Sequence, residues 1–248
     1  MLSVIIITKN EAQRIRHCLE SVSWADEIIL VDSGSVDATV AIAQEFTPKI
    51  IVTDWPGFGK QKNRALAHAT GDWVFSIDAD EWVDAALQQE IQAIIADPRA
   101  MAAYFIPRRT QYLGAWVDHG DAGQDKVIRL FKRGQAQFSE DVVHERVLVN
   151  GAVGVLKNPL LHNSYRSIEE LIERMNRYST LSANSRWAKG QSSSLRKAIW
   201  RGVWAFIRSY ILRRGFLDGR IGFVVAVSSA ESSYYRHLKL AWYKQNMK

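Results

Sequence analysis

Gly71-Asp-Trp-Val-Phe-Ser-Ile-Asp-Ala-Asp-Glu81 is the stretch that decides the fold of this 248-residue chain. Its centre, Trp73 to Ile77, is rich in β-branched and aromatic residues and follows the turn pair Gly71-Asp72, the pattern of a buried strand. Two carboxylates, Asp78 and Asp80, close it. On a regular strand residues i and i+2 share a face, and where the backbone bends at a strand end such a pair can converge on one hard cation. Mg²⁺ and Mn²⁺ take oxygen ligands, and Mg²⁺ is commonly held by one or two carboxylates together with substrate phosphates. An isolated pair of this kind is more often a solvated turn or a helix cap, so its meaning rests on its neighbours.

Upstream, strand-like runs at Leu2–Ile7, Glu27–Val31 and Lys49–Val52 alternate with helical patterns at about 11–22, 36–46 and 60–69, and a further helix is expected at 84–96. This rhythm predicts an α/β fold: a mostly parallel, Rossmann-like sheet with helices on both faces. Ligands of such sheets bind outside the carboxyl ends of the strands. The polar residues fall there: Thr8-Lys-Asn-Glu11, Asp32-Ser-Gly-Ser35 and the Asp78/Asp80 pair. Beyond Pro98, residues 102–156 read as shorter strands with turns at Gly114, Gly120 to Gly123, Arg133-Gly134 and Asn150-Gly151. Residues 167–190 and 195–214 read as helices, separated by a serine-rich break at 192–194.

Composition narrows the class. An apolar fraction of 47% is that of a globular protein, and the length suits one large domain or a domain with an appendage. The single cysteine, Cys18, excludes an internal disulfide and a multi-cysteine zinc site, and it sits among the apolar positions of a helix as a buried thiol. The N-terminus reads as a first strand and not as a secretory signal, because no basic segment precedes its apolar run. No stretch approaches the roughly 20 apolar residues that span a bilayer. Charge is divided unevenly: residues 186–248 hold 13 Lys/Arg and 2 Asp/Glu, a net +11, against −5 for residues 1–185.

Two further segments carry chemistry. Asp32-Ser-Gly-Ser-Val-Asp37 opens a helix; Ser35 or Asp37 suits the helix cap, which leaves Asp32, on the ligand side, to accept hydrogen bonds from a ribose or a base. Gly57-Phe-Gly-Lys-Gln-Lys-Asn-Arg64 places Lys60, Lys62 and Arg64 at a helix start, where the macrodipole disfavours cations. A bound anion would account for them, and so would a solvated basic face.

Together these segments resemble the inverting family 2 glycosyltransferases with a GT-A fold. The resemblance lies in Val4-Ile-Ile-Ile-Thr-Lys-Asn-Glu11, Ile29-Leu-Val-Asp-Ser-Gly-Ser-Val-Asp37 and Gly71 to Glu81. It extends through Arg129-Leu-Phe131, Val143-His-Glu145, His162 and Gly215-Phe-Leu-Asp-Gly-Arg-Ile-Gly222. That last set is similar to the branch adding glucose to the inner core of bacterial lipopolysaccharide. The resemblance implies that Thr8, Glu11, Asp32, Lys62 and Asp78 bind the nucleotide, with Lys62 near the diphosphate. Asp80, Asp78 and His162 would then hold Mg²⁺ or Mn²⁺. Ser33 stands where many members carry a second aspartate that contacts uracil. The implied donor is UDP-glucose and the implied acceptor a lipid-linked saccharide. An inverting transfer needs a carboxylate base; Glu145 is the first candidate and Asp141 the second, with Glu140 also in range, and a structural role for these residues stays open. So does a structural role for His162.

These readings predict a GT-A catalytic domain over 1–165, with a nucleotide-sugar half at about 1–100 and an acceptor half at about 101–165. A basic amphipathic helical region follows at 166–248. Its second helix interleaves Arg196, Lys197, Arg201, Arg208, Arg213 and Arg214 with Trp200, Trp204, Phe206 and Tyr210. That composition suits an anionic membrane interface better than nucleic acid, for which no recognised module is present. A helix packed on the catalytic domain is the plain alternative. The expected location is cytoplasmic, peripheral on the inner face of the cytoplasmic membrane. A sugar nucleotidyltransferase is the rival enzyme class, but it would be expected to place a glycine-rich loop after the first strand, where this chain has Thr8-Lys-Asn-Glu11. A non-catalytic adaptor would explain the tail and not the polar strand ends.

Overall fold

The computed structural model describes residues 1–123, 125–140 and 146–245. Strands β1 (Leu2–Thr8), β2 (Glu27–Asp32), β3 (Ile50–Val52) and β4 (Trp73–Asp78) lie in the order β3-β2-β1-β4, all parallel. Successive side chains of β1 enter different cores. Leu2, Val4 and Ile6 pack in one cluster with Ile15, Cys18 and Leu19 of α1 (Ile15–Ser21) and Leu87 and Ile91 of α4 (Ala85–Ala96). Ile5 and Ile7 join Ile29, Val31 and Ala65 in the other, beside α3 (Phe58–Ala67). Strands buried on both faces need continuous apolar sequence, which is why β1 reads Leu-Ser-Val-Ile-Ile-Ile-Thr. Each fully buried Ile or Phe here contributes about 1.5–3 kcal/mol of transfer free energy.

Strands β1, β2 and β4 each run one residue beyond their apolar run, so Thr8, Asp32 and Asp78 are the last residues of strands. The register aligns them: Thr8 pairs with Asp32, and Ile7 with Asp78. The first two helices are shorter than expected. Helix α1 starts at Ile15, because the preceding amides bond the next loop: Glu11 N–H donates to Thr39 Oγ1 (2.8 Å) and Ala12 N–H to Asp37 Oδ2 (3.1 Å). Helix α2 (Thr39–Gln44) starts after Asp37, whose carboxylate accepts from the Thr39 amide at 3.0 Å.

After β4 the chain makes β5 (Glu81–Trp82), and α4 is capped by Asp84, which accepts from Leu87 N–H at 2.8 Å. Strands β6 (Ala103–Tyr112), β7 (Ala115–Val117), β8 (Asp125–Lys132), β9 (Ala136–Phe138), β10 (Val147–Val149) and β11 (Val153–Val155) fall within the 102–156 stretch expected to form strands, and β12 (Leu160–Tyr165) is a further strand beyond it. Here pairing turns largely antiparallel: β8 pairs with β4 and with β6, β12 pairs with β5, and β9 and β10 form a hairpin.

Residues 1–108 with 125–162 form one compact unit, and residues 109–124 with 163–248 the other. This packing boundary differs from the expected division of roles at 165. The 109–124 segment belongs with the C-terminal helices because Tyr112 and Val117 are buried with Leu171 and Val225, partners far away in sequence. The second unit contains α5 (Ile168–Ala188) and α6 (Leu195–Ile207), capped by Ser167 and Ser194. Helix α6 ends seven residues before the expected limit, and the chain continues as a π-helical turn, Arg208–Leu212. A 3₁₀ turn at Gly215–Asp218 leads into α7 (Gly219–Gln245). Helix α7 packs against both α5 and α6, so its apolar residues do not form the single stripe that announces a helix in sequence. Among the described residues no helix is long and apolar enough to cross a membrane.

Candidate active site

The strand order reverses direction about β1, which lies between β2 and β4, and a crevice outside the strand ends at such a point is where open α/β sheets bind ligands. Its β2 wall is built from the loops after β1 and β2, tied together. Asn10 N–H donates to Ser35 Oγ at 2.8 Å, Val36 N–H donates to Asn10 Oδ1 at 2.9 Å, and Ser33 N–H donates to the Thr8 carbonyl at 2.9 Å. Asn10 adopts φ 56°, a conformation asparagine tolerates better than most residues.

Asp32 is fully buried, and its carboxylate accepts from the amides of Gly34 (3.0 Å) and Ser35 (2.8 Å) and from the Ser35 hydroxyl. Asp32 therefore shapes the turn, a task expected of Ser35 or Asp37. Beside it, Thr8 Oγ1 is buried and has no hydrogen-bond partner among the described residues. Glu11 pairs with Arg14 at 3.1 Å. Ser33, at the position of the missing aspartate, accepts at 2.9 Å from Gln61 Nε2 of α3, and both residues are buried.

On the β4 side a chain of alternating charges runs through Lys62, Asp78, Arg129, Glu81 and Arg108. Lys62 Nζ lies 3.0 Å from Asp78 Oδ1, Arg129 Nη2 bonds Asp78 Oδ2, and the same nitrogen lies 2.7 Å from Glu81 Oε1. Arg108 approaches Glu81 at 3.4 Å and Asp125 at 2.7 Å. Glu81 Oε2 also accepts from the Asp78 amide at 3.0 Å, which fixes the bend between the strand and its carboxylates. Burial pushes the Asp78 carboxyl up, but Arg129 and Lys62 outweigh it and hold the group well below the usual carboxylate range. Asp78 stays ionised, with both oxygens engaged by cations. Behind it, burial raises the Cys18 thiol well above its ordinary value, and the neighbouring acids Glu81, Asp80 and Asp78 add to this, so Cys18 is the inert core thiol expected.

Asp80 and His162 come together: Asp80 Oδ2 lies 3.5 Å from His162 Nε2, and each side chain is 13% exposed. The pairing of β5 with β12 sets this approach, since His162 is in register with Glu81. Among the described residues no group of three or more His, Cys, Asp or Glu gathers as a metal site. One carboxylate and one imidazole nonetheless fit a Mg²⁺ or Mn²⁺ ion whose other ligands are phosphate oxygens and water, and imidazole inclines the pair toward Mn²⁺.

Of the three cations at the α3 start, only Lys62 reaches this site. Lys60 lies 3.6 Å from Glu140, and Arg64 pairs with Asp54 at 2.7 Å. Protein carboxylates thus account for those two without a bound anion. Helix α3 also positions the β9–β10 hairpin. Asn63 Nδ2 donates to the Phe138 carbonyl (2.8 Å) and Asn63 Oδ1 accepts from the Phe138 amide (2.9 Å). A Cβ on Gly59 would lie 1.8 Å from the Ser139 carbonyl oxygen, so only glycine allows this approach. Ser139 and Arg146 close the hairpin base, with Ser139 N–H donating to the Arg146 carbonyl at 2.8 Å. The candidate bases Asp141 and Glu145 lie outside the described residues; Glu140 is exposed and paired with Lys60.

The sequence reading did not assign Arg129, Glu81, Gln61 and Asn63. Arg129 left a signal: a lone arginine inside Val127-Ile-Arg-Leu-Phe131 has to find a buried anion.

The glycosyl transferase family 2 model matches residues 3–150, which include the strand ends and the charge chain. The chain belongs to glycosyl transferase family 2. It is therefore a transferase, and its sheet is the GT-A arrangement. The lipopolysaccharide core biosynthesis glycosyltransferase LpsC of Rhizobium meliloti (strain 1021) is 30% identical over 250 residues, covering 95% of this chain and 93% of its own. The crystal structure of S. aureus TarS 1-349 in complex with UDP-GlcNAc is similar over 99% of this chain and 92% of that one, at 15% identity and a TM-score of 0.47. Glucosyl-3-phosphoglycerate synthase from Mycobacterium tuberculosis, in complex with Mn²⁺ and UDP-glucose, matches 46% of this chain and 44% of that one, at 25% identity and a TM-score of 0.37.

Proposed function

We propose that this family 2 enzyme is a metal-dependent, inverting glycosyltransferase. It moves glucose from UDP-glucose to a lipid-linked saccharide of the lipopolysaccharide inner-core type. The approach of Asp80 to His162, next to the charge chain that fixes Asp78, carries the reading. The likeness to LpsC along nearly the whole of both chains supports the acceptor class. Thr8, whose buried hydroxyl has no partner among the described residues, and Glu11 are assigned to the nucleoside pocket, in the loop region that Asp32 shapes. Lys62 is assigned to the diphosphate, and Asp78 holds Lys62 there. Asp80 and His162 would hold the Mn²⁺ or Mg²⁺, which when bound supplies charge to stabilise the departing diphosphate.

The acceptor hydroxyl must lose a proton as it attacks. We assign this to Glu145, with Asp141 as the alternative, on the segment whose flanks Ser139 and Arg146 are fixed beside α3. Attachment to the inner face of the cytoplasmic membrane is assigned to the basic C-terminal region, where Trp200 is 72% exposed and Trp204 half exposed. Phe206 is instead engaged with Tyr210 and Phe223. Liposome sedimentation tests this: binding to anionic vesicles at low salt and release at high salt are expected, and equal binding to neutral vesicles would contradict it.

The central test pairs transfer of radiolabelled UDP-glucose with direct Mn²⁺ binding followed by electron paramagnetic resonance. Because the protein itself offers two donors, Mn²⁺ should bind weakly alone and tightly when UDP is present. Asp80→Asn and His162→Ala should lose that UDP-dependent binding together with transfer. Mn²⁺ binding that persists in the double variant would overturn the site assignment.

A further inference from the structure

In the C-terminal unit, α6 presents Lys197, Arg201, Trp204, Ala205 and the following Arg208, spaced along one helical face. Helix α7 presents Ser229, Ser233, Arg236 and His237 in the same manner, and Arg186 stands near the end of α5. These residues line a cavity of about 180 Å³, room for about six waters at ~30 Å³ each. Five of them are cationic and none is an acid.

Stability alone does not explain such a lining. Like charges four apart on a helix destabilise it, and here they are also gathered from three helices around one space. Arg208 has Asp121 at 2.5 Å and Arg186 has Gln191 at 3.2 Å. Lys197, Arg201 and Arg236 have no carboxylate partner among the described residues, and the Nε atoms of Arg208 and Arg236 are buried without an acceptor. The repulsion is felt locally: burial first, and then Arg186, Arg208 and Arg201, lower the Arg236 guanidinium. His237 is pushed down to about 4 by burial and by Arg236, Arg186, Lys197 and Arg201, so it is neutral at pH 7. Exposed Lys197 and Arg201, the half-buried Arg236 guanidinium and Ser229 surround a partly open polar space, while the Ser233 hydroxyl donates to the Arg201 carbonyl at 3.2 Å; guanidinium donors converging in this way suit an oxyanion.

We propose that this cavity is a specific binding site for one phosphate group, held chiefly by Arg201 and Arg236. It is separate from the donor-diphosphate residues, and it goes beyond diffuse attraction of a basic surface to a membrane. The phosphate comes either from a soluble phosphorylated molecule or from an anionic lipid headgroup. The second source is compatible with exposed Trp200 and Trp204 on the same helix, α6.

Calorimetry and thermal melts of the full chain test this, with inorganic phosphate against chloride at matched ionic strength. One saturable phosphate per chain is expected, with a rise in Tm that chloride does not reproduce. Arg201→Gln and Arg236→Gln should each weaken phosphate binding about tenfold or more, about 1.4 kcal/mol. Each should also raise Tm in phosphate-free buffer, because repulsion is relieved. Flotation with phosphatidylcholine vesicles, with and without phosphatidic acid, separates the sources. Recruitment by phosphatidic acid that phosphate competes away, and that the variants lose, identifies the headgroup; phosphate binding without recruitment identifies a soluble ligand. The proposal is overturned if phosphate acts no differently from chloride. It is equally overturned if the variants lower Tm while leaving the phosphate response intact, since the arginines would then be structural. UDP-dependent Mn²⁺ binding is read separately, so failure here leaves the active-site assignment standing.

Discussion

Replacing Arg129 with methionine keeps much of the side-chain volume and removes the cation shared by Asp78 and Glu81. The Arg129 side chain is 6% exposed and that of Glu81 not at all, so water cannot replace the lost partner. Breaking a buried ion pair from one side costs about 3–5 kcal/mol. The loss here should fall at the lower end, about 3 kcal/mol, because Asp78 keeps Lys62 at 3.0 Å and Glu81 keeps Arg108 at 3.4 Å. For a chain of this size each kcal/mol moves Tm by about 2–4 °C, giving a fall of roughly 6–12 °C. Urea and thermal denaturation at pH 7, followed by circular dichroism, would measure it. The sign with pH is also set. The depressed Asp78 carboxyl contributes stability above the ordinary carboxylate range and loses it as pH falls. The difference between wild type and Arg129→Met should therefore shrink on acidification. A loss below about 1 kcal/mol at pH 7, with no change in the pH profile, would refute the account of a buried charge chain.

Gly59→Ala should cost about 1–3 kcal/mol through overpacking, since the new Cβ meets the Ser139 backbone at 1.8 Å, and turnover should fall more than UDP binding does; unchanged kinetics would separate the hairpin from catalysis. Glu27 is held down to about 2: burial raises it, but Lys49, Ser3 and Thr70 outweigh that. Its stabilisation is present above the ordinary value of 4.5 and lost as pH falls toward 2, so Glu27→Gln should flatten the acid limb of a stability–pH curve there. Glu145→Gln should keep UDP binding and lower turnover about 10²–10⁴-fold, the usual worth of general-base catalysis; if Asp141→Asn has that effect instead, the base is Asp141.

The sheet and its polar edge were legible because their physics is local. A strand buried on both faces must be continuously apolar, so β1, β2 and β4 announced themselves, and each run is closed by a polar residue, Thr8, Asp32 or Asp78, at the carboxyl end of its strand. Turn glycines at 114, 134 and 151, all with positive φ, likewise marked the later strands. Tertiary structure decided the partners. The three cations at the α3 start are equivalent in sequence, yet Asp54 and Glu140 take two of them and Asp78 takes only Lys62, because Asp78 is reached only across strands paired from distant parts of the chain. Asp80 and His162 stand 82 positions apart, and only the pairing of β5 with β12 brings them within 3.5 Å. Helix α7 escaped the reading because helices on two sides bury it, erasing the single stripe that periodicity detects. Its convergence with α6 around one cavity is likewise absent from the sequence: Arg201 reads there as one cation of an interfacial helix and Arg236 as nothing in particular, and only packing brings the two together so that their repulsion becomes visible.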